Sequence, residues 1–264
     1  MSVQKESLTA LIITYNEMGY IQKCIDSISF ADEIIVVDSF STDGTYEYLL
    51  EHPKVKVIQN PFENFTAQKS FALKQASNDW VLFLDADEVV PNELENEIKD
   101  TISSNKDEVA YWFYRQFMFK NEKLKYSGWQ TDKNYRLFRK SKAKFSDRKI
   151  VHETLDVDGK SGILKSKLTH YCYKNYEDYK SKMLKYGQLK AIECFYKEKQ
   201  FNYISMYIKT GWKFFNHYFL RLGFLDGKKG FIICYLNALG VLERFKELKR
   251  LELKNKLAYY LVMP

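Results

Sequence analysis

Short apolar runs alternate with segments of helical periodicity between residues 8 and 85. Continuous apolar runs of this kind are typical of buried strands, and they lie at 8–14, 34–37, 55–58 and 80–84. Between the runs, apolar positions recur at helical spacing, first at Ile21, Cys24, Ile25 and Ile28 and later over 66–76. Strands separated by single helices favour a parallel sheet covered on both faces, so we predict an α/β fold with a mostly parallel sheet.

Polar side chains follow three of these strands at the point where each strand ends. Asn16 and Glu17 follow the first run, Asp38 follows the second, and Asp85 and Asp87 follow the fourth. Ligands of parallel α/β sheets bind outside the carboxyl ends of the strands. The sequence therefore predicts a ligand site at that edge of the sheet.

The pattern changes after about residue 109, where aromatic, strand-like segments at 109–119 and 134–140 are joined by loops. Beyond residue 171 the periodicity is helical, with a predicted break at 226–230. We therefore expect a catalytic domain over 1–170 and a helical, basic, aromatic-rich region over 171–264.

Composition places the chain among ordered globular proteins, because 45% of its 264 residues are hydrophobic and 28% are charged. The four cysteines are scattered and form no CxxC pair, which favours a reducing, cytoplasmic environment. Lys5 and Glu6 directly precede the first apolar run, so we expect no signal peptide. No run approaches the roughly 18 apolar residues typical of a membrane-spanning helix.

The net charge of +7 is unevenly distributed. Residues 165–264 carry 20 lysines and arginines against 8 acidic residues, whereas residues 1–164 carry 21 against 26. A basic region of this kind suits nucleic acid and anionic lipid alike, so the sign of the charge does not choose between them.

Asp85 and Asp87 flank one alanine directly after a buried strand. Two carboxylates so placed can hold Mg²⁺ or Mn²⁺, which would bridge the phosphates of a nucleotide diphosphate. The same residues could instead solvate a loop or cap the next helix.

Asp85 and Asp87 also fit the nucleophile and acid–base pair of a haloacid-dehalogenase-type phosphatase, although that motif usually opens its domain. A non-catalytic membrane or nucleic-acid binder is a third interpretation, and a sugar-nucleotide synthesising enzyme would need a glycine-rich phosphate loop that the sequence lacks.

Four stretches resemble the family 2 glycosyltransferases with the GT-A fold, in the order and spacing of that family. They are LIITYNE at 11–17, IIVVDS at 34–39, STDGT at 41–45 and FLDADE at 83–88. Further segments are similar to the branch that adds sugars to lipopolysaccharide core, namely AQK at 67–69, RLFR at 136–139, VHE at 151–153, HY at 170–171 and GFLDG at 223–227. The resemblance implies an inverting, metal-dependent hexosyltransferase, with UDP-glucose as the usual donor and a saccharide or glycolipid acceptor.

The resemblance also implies roles for residues at the predicted sheet edge. It implies that the donor nucleotide sugar contacts Thr14, Tyr15, Asn16, Glu17, Asp38, Lys69, Asp85 and Arg136. It implies that the metal is held by Asp85 and Asp87, with His170 as a third ligand. Lys69 could equally be a solvated helix lysine, and His170 an ordinary structural histidine.

The resemblance implies that Glu153 is the base that takes the acceptor proton, with Asp132 as the reserve candidate. His152 could orient Glu153, bind the acceptor or be structural. Arg136 and Arg139 are three residues apart on one predicted strand, so they should face opposite sides, and we expect Arg136 to reach the diphosphate.

Aromatic and cationic residues alternate from 201 to 225. An amphipathic helix of this composition can lie in the lipid interface, which predicts peripheral contact with an anionic membrane at the inner face of the cytoplasmic membrane. The alternative is that this face packs against the catalytic domain. No recognisable nucleic-acid-binding module accompanies it, so we expect no nucleic acid partner.

Overall fold

A computed structural model describes residues 6–104, 106–146, 154–173 and 175–262. The chain divides into two compact units. The first contains Met1–Phe117 and Thr131–Cys172, and the second contains Met118–Gln130 and Tyr173–Pro264.

The described strands are β1 Leu8–Thr14, β2 Glu33–Asp38, β3 Val55–Gln59, β4 Trp80–Asp85, β5 Glu88–Val89, β6 Glu108–Phe119, β7 Glu122–Lys123, β8 Lys133–Arg139, β9 Ala143–Ser146, β10 Thr154–Val157, β11 Lys160–Ile163 and β12 Leu168–Tyr173. The described α-helices are α1 Ile21–Ser27, α2 Thr45–Glu51, α3 Phe65–Gln75, α4 Asn92–Ser103, α5 Tyr176–Tyr196, α6 Tyr203–Phe215 and α7 Gly227–Val262.

The main sheet runs in the order β3, β2, β1, β4, β8, β6, β12 and β5. The first four strands are mutually parallel, while β8 and β6 continue the sheet in antiparallel pairing. This arrangement confirms the predicted α/β fold. The register sets Thr14 beside Asp38 and Ile13 beside Asp85, so the carboxyl ends of the three central strands meet at one edge.

Alternation along β1 divides the core into two layers. Leu8, Ala10 and Ile12 face the layer that contains apolar residues of α1, α2 and α4. Leu11 and Ile13 face the opposite layer, which contains apolar residues of α3. Because helices cover both faces, the parallel strands are apolar along almost their whole length, which is why they read as continuous runs in the sequence.

The second unit is built mainly from α5, α6 and α7. A Cβ atom at Gly187 of α5 would lie 2.5 Å from the carbonyl oxygen of Gly240 of α7, so glycine permits these helices to approach closely. A break is present but lies a few residues before the predicted 226–230, because a 3-10 turn covers Gly223–Asp226 and α7 begins at Gly227. Gly230 lies inside the first turns of α7, where a Cβ atom would overlap the carbonyl oxygen of Gly223. This glycine allows a tight contact and does not end a helix.

None of the helices in the described part of the chain is both long enough and apolar enough to cross a bilayer.

His217 of the second unit is buried, and its Nδ1 lies 2.7 Å from the carbonyl oxygen of Ser127. Burial, followed by the charges of Lys213 and Arg221, lowers the pKa of His217 to about 4. The unfolded chain therefore binds a proton more readily than the folded chain between about pH 6.5 and 4, and stability is lost as the pH falls through that range.

We expect the free energy of unfolding to fall by about 2 kcal/mol between pH 7 and pH 5 because of His217. Urea titrations of the wild type and of His217→Gln at both pH values measure this difference. His52→Gln is the control, because His52 is only partly buried. An equal pH response in the wild type and His217→Gln would show that His217 does not cause it.

Candidate active site

The loop after β1 is hydrogen-bonded to the turn that precedes α2. The backbone N–H of Asn16 donates to Ser41 Oγ at 2.9 Å, and its side-chain oxygen accepts from the N–H of Thr42 at 2.8 Å. The N–H of Glu17 donates to Thr45 Oγ1 at 3.0 Å. Asn16 has a φ of 55°, a conformation that asparagine tolerates better than most residues. The two segments therefore form one braced loop beside the sheet edge.

Asp38 is fully buried at the end of β2. Its carboxylate accepts from the hydroxyl of Ser41 at 2.5 Å, from the N–H of Ser41 at 3.0 Å and from Gln59 Nε2 at 3.3 Å. Gln68 of α3 is also buried and donates to Ser39 Oγ at 2.9 Å. Asp38 and Gln68 thus anchor Ser41 and Ser39, two residues of the segment that follows β2.

Two buried cations face Asp85 at the end of β4. Arg136 Nη2 lies 2.5 Å from Asp85 Oδ2, and Lys69 Nζ lies 3.6 Å from Asp85 Oδ1. Both cationic side chains are almost completely shielded from solvent, whereas the Asp85 side chain is about one-third exposed. The edge of the sheet therefore carries an accessible carboxylate backed by two buried positive charges.

A second pair of charges supports Arg136 from behind. Glu88 is fully buried, and it accepts from Arg136 Nη2 at 2.6 Å and from the N–H of Asp85 at 3.0 Å. Arg115 of β6 lies 3.6 Å from Glu88 and donates through Nε to Asp132 Oδ2 at 2.6 Å. Asp85, Glu88, Asp132, Arg115 and Arg136 therefore form one chain of alternating charges.

The charge chain explains how these groups titrate. Burial raises the pKa of the Asp85 carboxyl, but the charges of Arg136 and Lys69 outweigh it and hold that pKa well below its usual range. Burial raises the pKa of the Cys24 thiol, and the charge of Glu88 raises it further. Asp85 is therefore a permanent carboxylate at neutral pH, and Cys24 remains a thiol.

Asp87 lies beside His170 of β12, with 3.3 Å between Asp87 Oδ1 and His170 Nε2. The other ring nitrogen of His170, Nδ1, is buried and has no hydrogen-bond partner among the described residues. Within the described ranges, no group of three or more His, Cys, Asp or Glu side chains is arranged to hold a metal ion. Asp87 and His170 therefore form a pair of possible metal ligands, and Asp87 is two residues after Asp85 in the sequence.

The remaining predicted residues fall in different places. Arg139 bonds to Glu6 at 2.8 Å and to Asp79 at 3.2 Å, near the start of β4, whereas Arg136 reaches its end. Tyr15 is exposed beside the braced loop. His152 and Glu153 lie outside the described residues.

Sequence reasoning did not identify Glu88, Arg115 or Gln68 as site residues. Glu88 and Gln68 lie inside the FLDADE and AQK stretches, so a signal was present for both. Arg115 lies among aromatic residues of β6, and nothing in its local sequence indicates an ion pair with Asp132.

Comparison with known proteins decides the family. Residues 9–165 match the sequence profile described as Glycosyl transferase family 2. This chain belongs to that family. An uncharacterized glycosyltransferase of Rickettsia conorii is 31% identical over 262 residues, covering 95% of this chain and 93% of the relative. These findings confirm the resemblance noted from the sequence.

Two further similarities are to a curated relative and to a solved structure. The lipopolysaccharide core biosynthesis glycosyltransferase LpsC of Rhizobium meliloti is 26% identical over 254 residues, covering 92% of this glycosyltransferase and 94% of LpsC. Among solved structures, the mannosyltransferase PcManGT from Pyrobaculum calidifontis, in complex with GDP-Man and Mn²⁺, superposes with a TM-score of 0.51 at 14% identity. That match covers 97% of this chain and 81% of PcManGT, and it agrees with a GT-A fold. Membership of family 2 removes the phosphatase interpretation of Asp85 and Asp87.

Proposed function

We propose that this glycosyltransferase is an inverting hexosyltransferase that moves a sugar, with UDP-glucose the expected donor, onto a saccharide or lipid-linked acceptor of the cell envelope. The observation that carries the proposal is the accessible Asp85 carboxylate backed by buried Lys69 and Arg136 at the carboxyl edge of the sheet. The similarity to LpsC supports an acceptor of the lipopolysaccharide-core type.

The nucleoside of the donor would lie against the braced loop at 14–17 and near Asp38. Because Asp38 is engaged by Ser41 and Gln59, its role would be to hold the shape of this pocket as much as to contact the base. The diphosphate would lie beside Asp85, where the positive charges of Lys69 and Arg136 would partly neutralise the negative charge of the diphosphate. These cations would then stabilise charge that develops on the leaving diphosphate.

The residues present fit a divalent cation. Mg²⁺ is usually held by one or two carboxylates together with substrate phosphates, so a complete cage of protein ligands is not required. Asp87 and His170, whose Oδ1 and Nε2 lie 3.3 Å apart, would hold it together with the substrate phosphates. We also assign Asp85 to the metal, although in this structure its oxygens pair with Lys69 and Arg136. When bound, the cation would neutralise charge on the diphosphate leaving group.

The acceptor hydroxyl needs a base on the face of the sugar opposite the diphosphate, and we assign that role to Glu153. Asp132 is less suited, since Nε and Nη2 of Arg115 both donate to its Oδ2. That oxygen is therefore occupied by the guanidinium of Arg115 and does not face an acceptor hydroxyl.

We expect Glu153→Gln to lower the transfer rate about a hundredfold or more with unchanged donor affinity, the usual contribution of a general base. Single-turnover transfer and equilibrium binding of the nucleotide diphosphate measure the two quantities. Asp132→Asn is the comparison, and it should retain most of the transfer rate. If Asp132→Asn loses turnover while Glu153→Gln keeps it, the base is Asp132.

We further propose that the C-terminal region contacts an anionic membrane at the inner face of the cytoplasmic membrane. A lipid-linked acceptor would be concentrated at that surface. The basic composition of residues 165–264 supports this assignment.

A thermal-shift series against nucleotide diphosphates, each with and without Mn²⁺, tests the donor site, because a ligand of the native state must raise its stability. We expect one nucleotide to stabilise the protein, and to do so more strongly with metal. If no nucleotide stabilises it, the non-catalytic interpretation replaces the proposal.

A further inference from the structure

One face of α6 and of the turn after it presents a row of large apolar side chains to solvent, here called the apolar stripe. It consists of Ile204, Tyr207, Ile208, Trp212, Phe215 and Phe219. Successive members are three or four residues apart, apart from the neighbouring pair at 207 and 208, so they lie along one side of the helix. Ile204 is 70% exposed and Ile208 is 64% exposed, so most of each apolar side chain is in contact with solvent. Contiguous exposed apolar surface of this kind marks an interaction site.

A groove of about 290 Å³, here called the basic groove, lies between α6 and α7 beside the stripe. Four of its lining residues are cations, namely Lys209, Lys213, Arg221 and Arg244. Trp212 belongs to both the stripe and the groove lining, so the apolar and the cationic surfaces are continuous.

The cations of the groove are not paired with carboxylates of the described residues. Within the described part of the chain, none of Lys209, Lys213, Arg221 or Arg244 forms an ion pair with an acidic side chain. Burial lowers the pKa of Lys213, and the charges of Arg221, Lys190 and Arg244 lower it further. Like charges gathered in a partly buried groove are unfavourable unless an anion occupies it.

We propose that the basic groove binds the phosphate of an anionic membrane lipid while the apolar stripe enters the lipid interface. The inference rests on the proposed membrane contact and assigns the groove as its headgroup site. The stripe provides the apolar area that interfacial helices bury, and the groove provides cations at the depth of the headgroups. Two of the three most exposed side chains of the stripe are isoleucines, which favours lipid over nucleic acid, because nucleic acid is bound by cations interleaved with aromatic stacking surfaces.

A second groove lies between the same helices. It has a volume of about 350 Å³, and its lining includes Phe214, Leu239 and Leu242, with almost no polar surface. The two grooves share no lining residue, so the apolar groove is a separate surface of the α6–α7 pair.

The test is co-sedimentation of the full chain with phosphatidylcholine vesicles, with and without phosphatidylglycerol. The groove variant is Lys213→Gln/Arg244→Gln. Its control, Lys185→Gln/Lys199→Gln, removes the same charge from two exposed lysines outside the groove. We expect the groove variant to bind phosphatidylglycerol vesicles about tenfold more weakly than the control. A stripe variant, Ile204→Ser/Ile208→Ser, should lose binding to both kinds of vesicle.

Three outcomes would overturn the assignment. Equal losses in the groove and control variants would show that diffuse charge, not a headgroup site, attracts the membrane. No preference for phosphatidylglycerol in the wild type would remove the anionic lipid altogether. Thermal stabilisation by inorganic phosphate, combined with no vesicle binding, would assign the groove to a soluble phosphate. Thermal shifts with nucleotide diphosphate and Mn²⁺ on the same samples report the donor site separately, so failure there is distinguishable from failure at the groove.

Discussion

Asp87→Asn is expected to lower the transfer rate by about a thousandfold while leaving the urea unfolding midpoint unchanged. A metal ion contributes several kcal/mol to stabilisation of transition-state charge, and each factor of ten corresponds to about 1.4 kcal/mol. Asparagine has nearly the same shape as aspartate and can still bond to His170, so the packing around β12 should be retained. Asp87 lies beside His170, whereas Asp85 pairs with Lys69 and Arg136, so Asp87→Asn removes a proposed metal ligand and leaves those two ion pairs in place.

Two measurements separate this prediction from a general loss of charge. Asp158→Asn removes a carboxylate whose side chain is 89% exposed and pairs only loosely with Lys142, so its activity should be unchanged. The Mn²⁺ dependence of nucleotide diphosphate binding should disappear in Asp87→Asn and persist in Asp158→Asn. Full transfer activity in Asp87→Asn would remove Asp87 from the metal site.

The strands and the position of the site follow directly from the sequence. The runs at 8–14, 34–37 and 80–84 are apolar on both faces, and only a sheet covered on both sides buries such residues completely. Once the strands are parallel, Asp38 and Asp85 must end at the same edge. The location of the site was therefore predictable, because the alternation of strands and helices along the sequence already implies a parallel sheet.

The supporting charges were not predictable in the same way. Arg115 meets Glu88 and Asp132, and the three residues are brought together only by pairing of β6 with β8 and by the end of β4. Likewise, the local sequence predicts that Gly230 breaks a helix, whereas in the structure it allows close contact with the carbonyl of Gly223. The segment 118–130 groups with the C-terminal helices in space, although it lies within the expected catalytic domain in sequence. Each of these features depends on contacts between residues that are distant in sequence, and the local sequence pattern does not predict such contacts.

The buried charge chain gives the second large effect, which is on stability. Arg136→Met is expected to lower the free energy of unfolding by about 3–5 kcal/mol, because it leaves the carboxylates of Asp85 and Glu88 without their shared cation. The control is Arg139→Met, the same substitution three residues along β8. Arg139 is partly exposed and its partners Glu6 and Asp79 remain in contact with water, so we expect a loss of about 1 kcal/mol or less.

Urea titrations at pH 7 measure both losses, and a double variant identifies their cause. In Arg136→Met/Glu88→Met the fully buried carboxylate is removed together with the cation, so part of the lost stability should return. That recovery would show that the cost lies in an uncompensated buried charge and not in lost packing of the arginine side chain. Equal losses in Arg136→Met and Arg139→Met would contradict the charge chain.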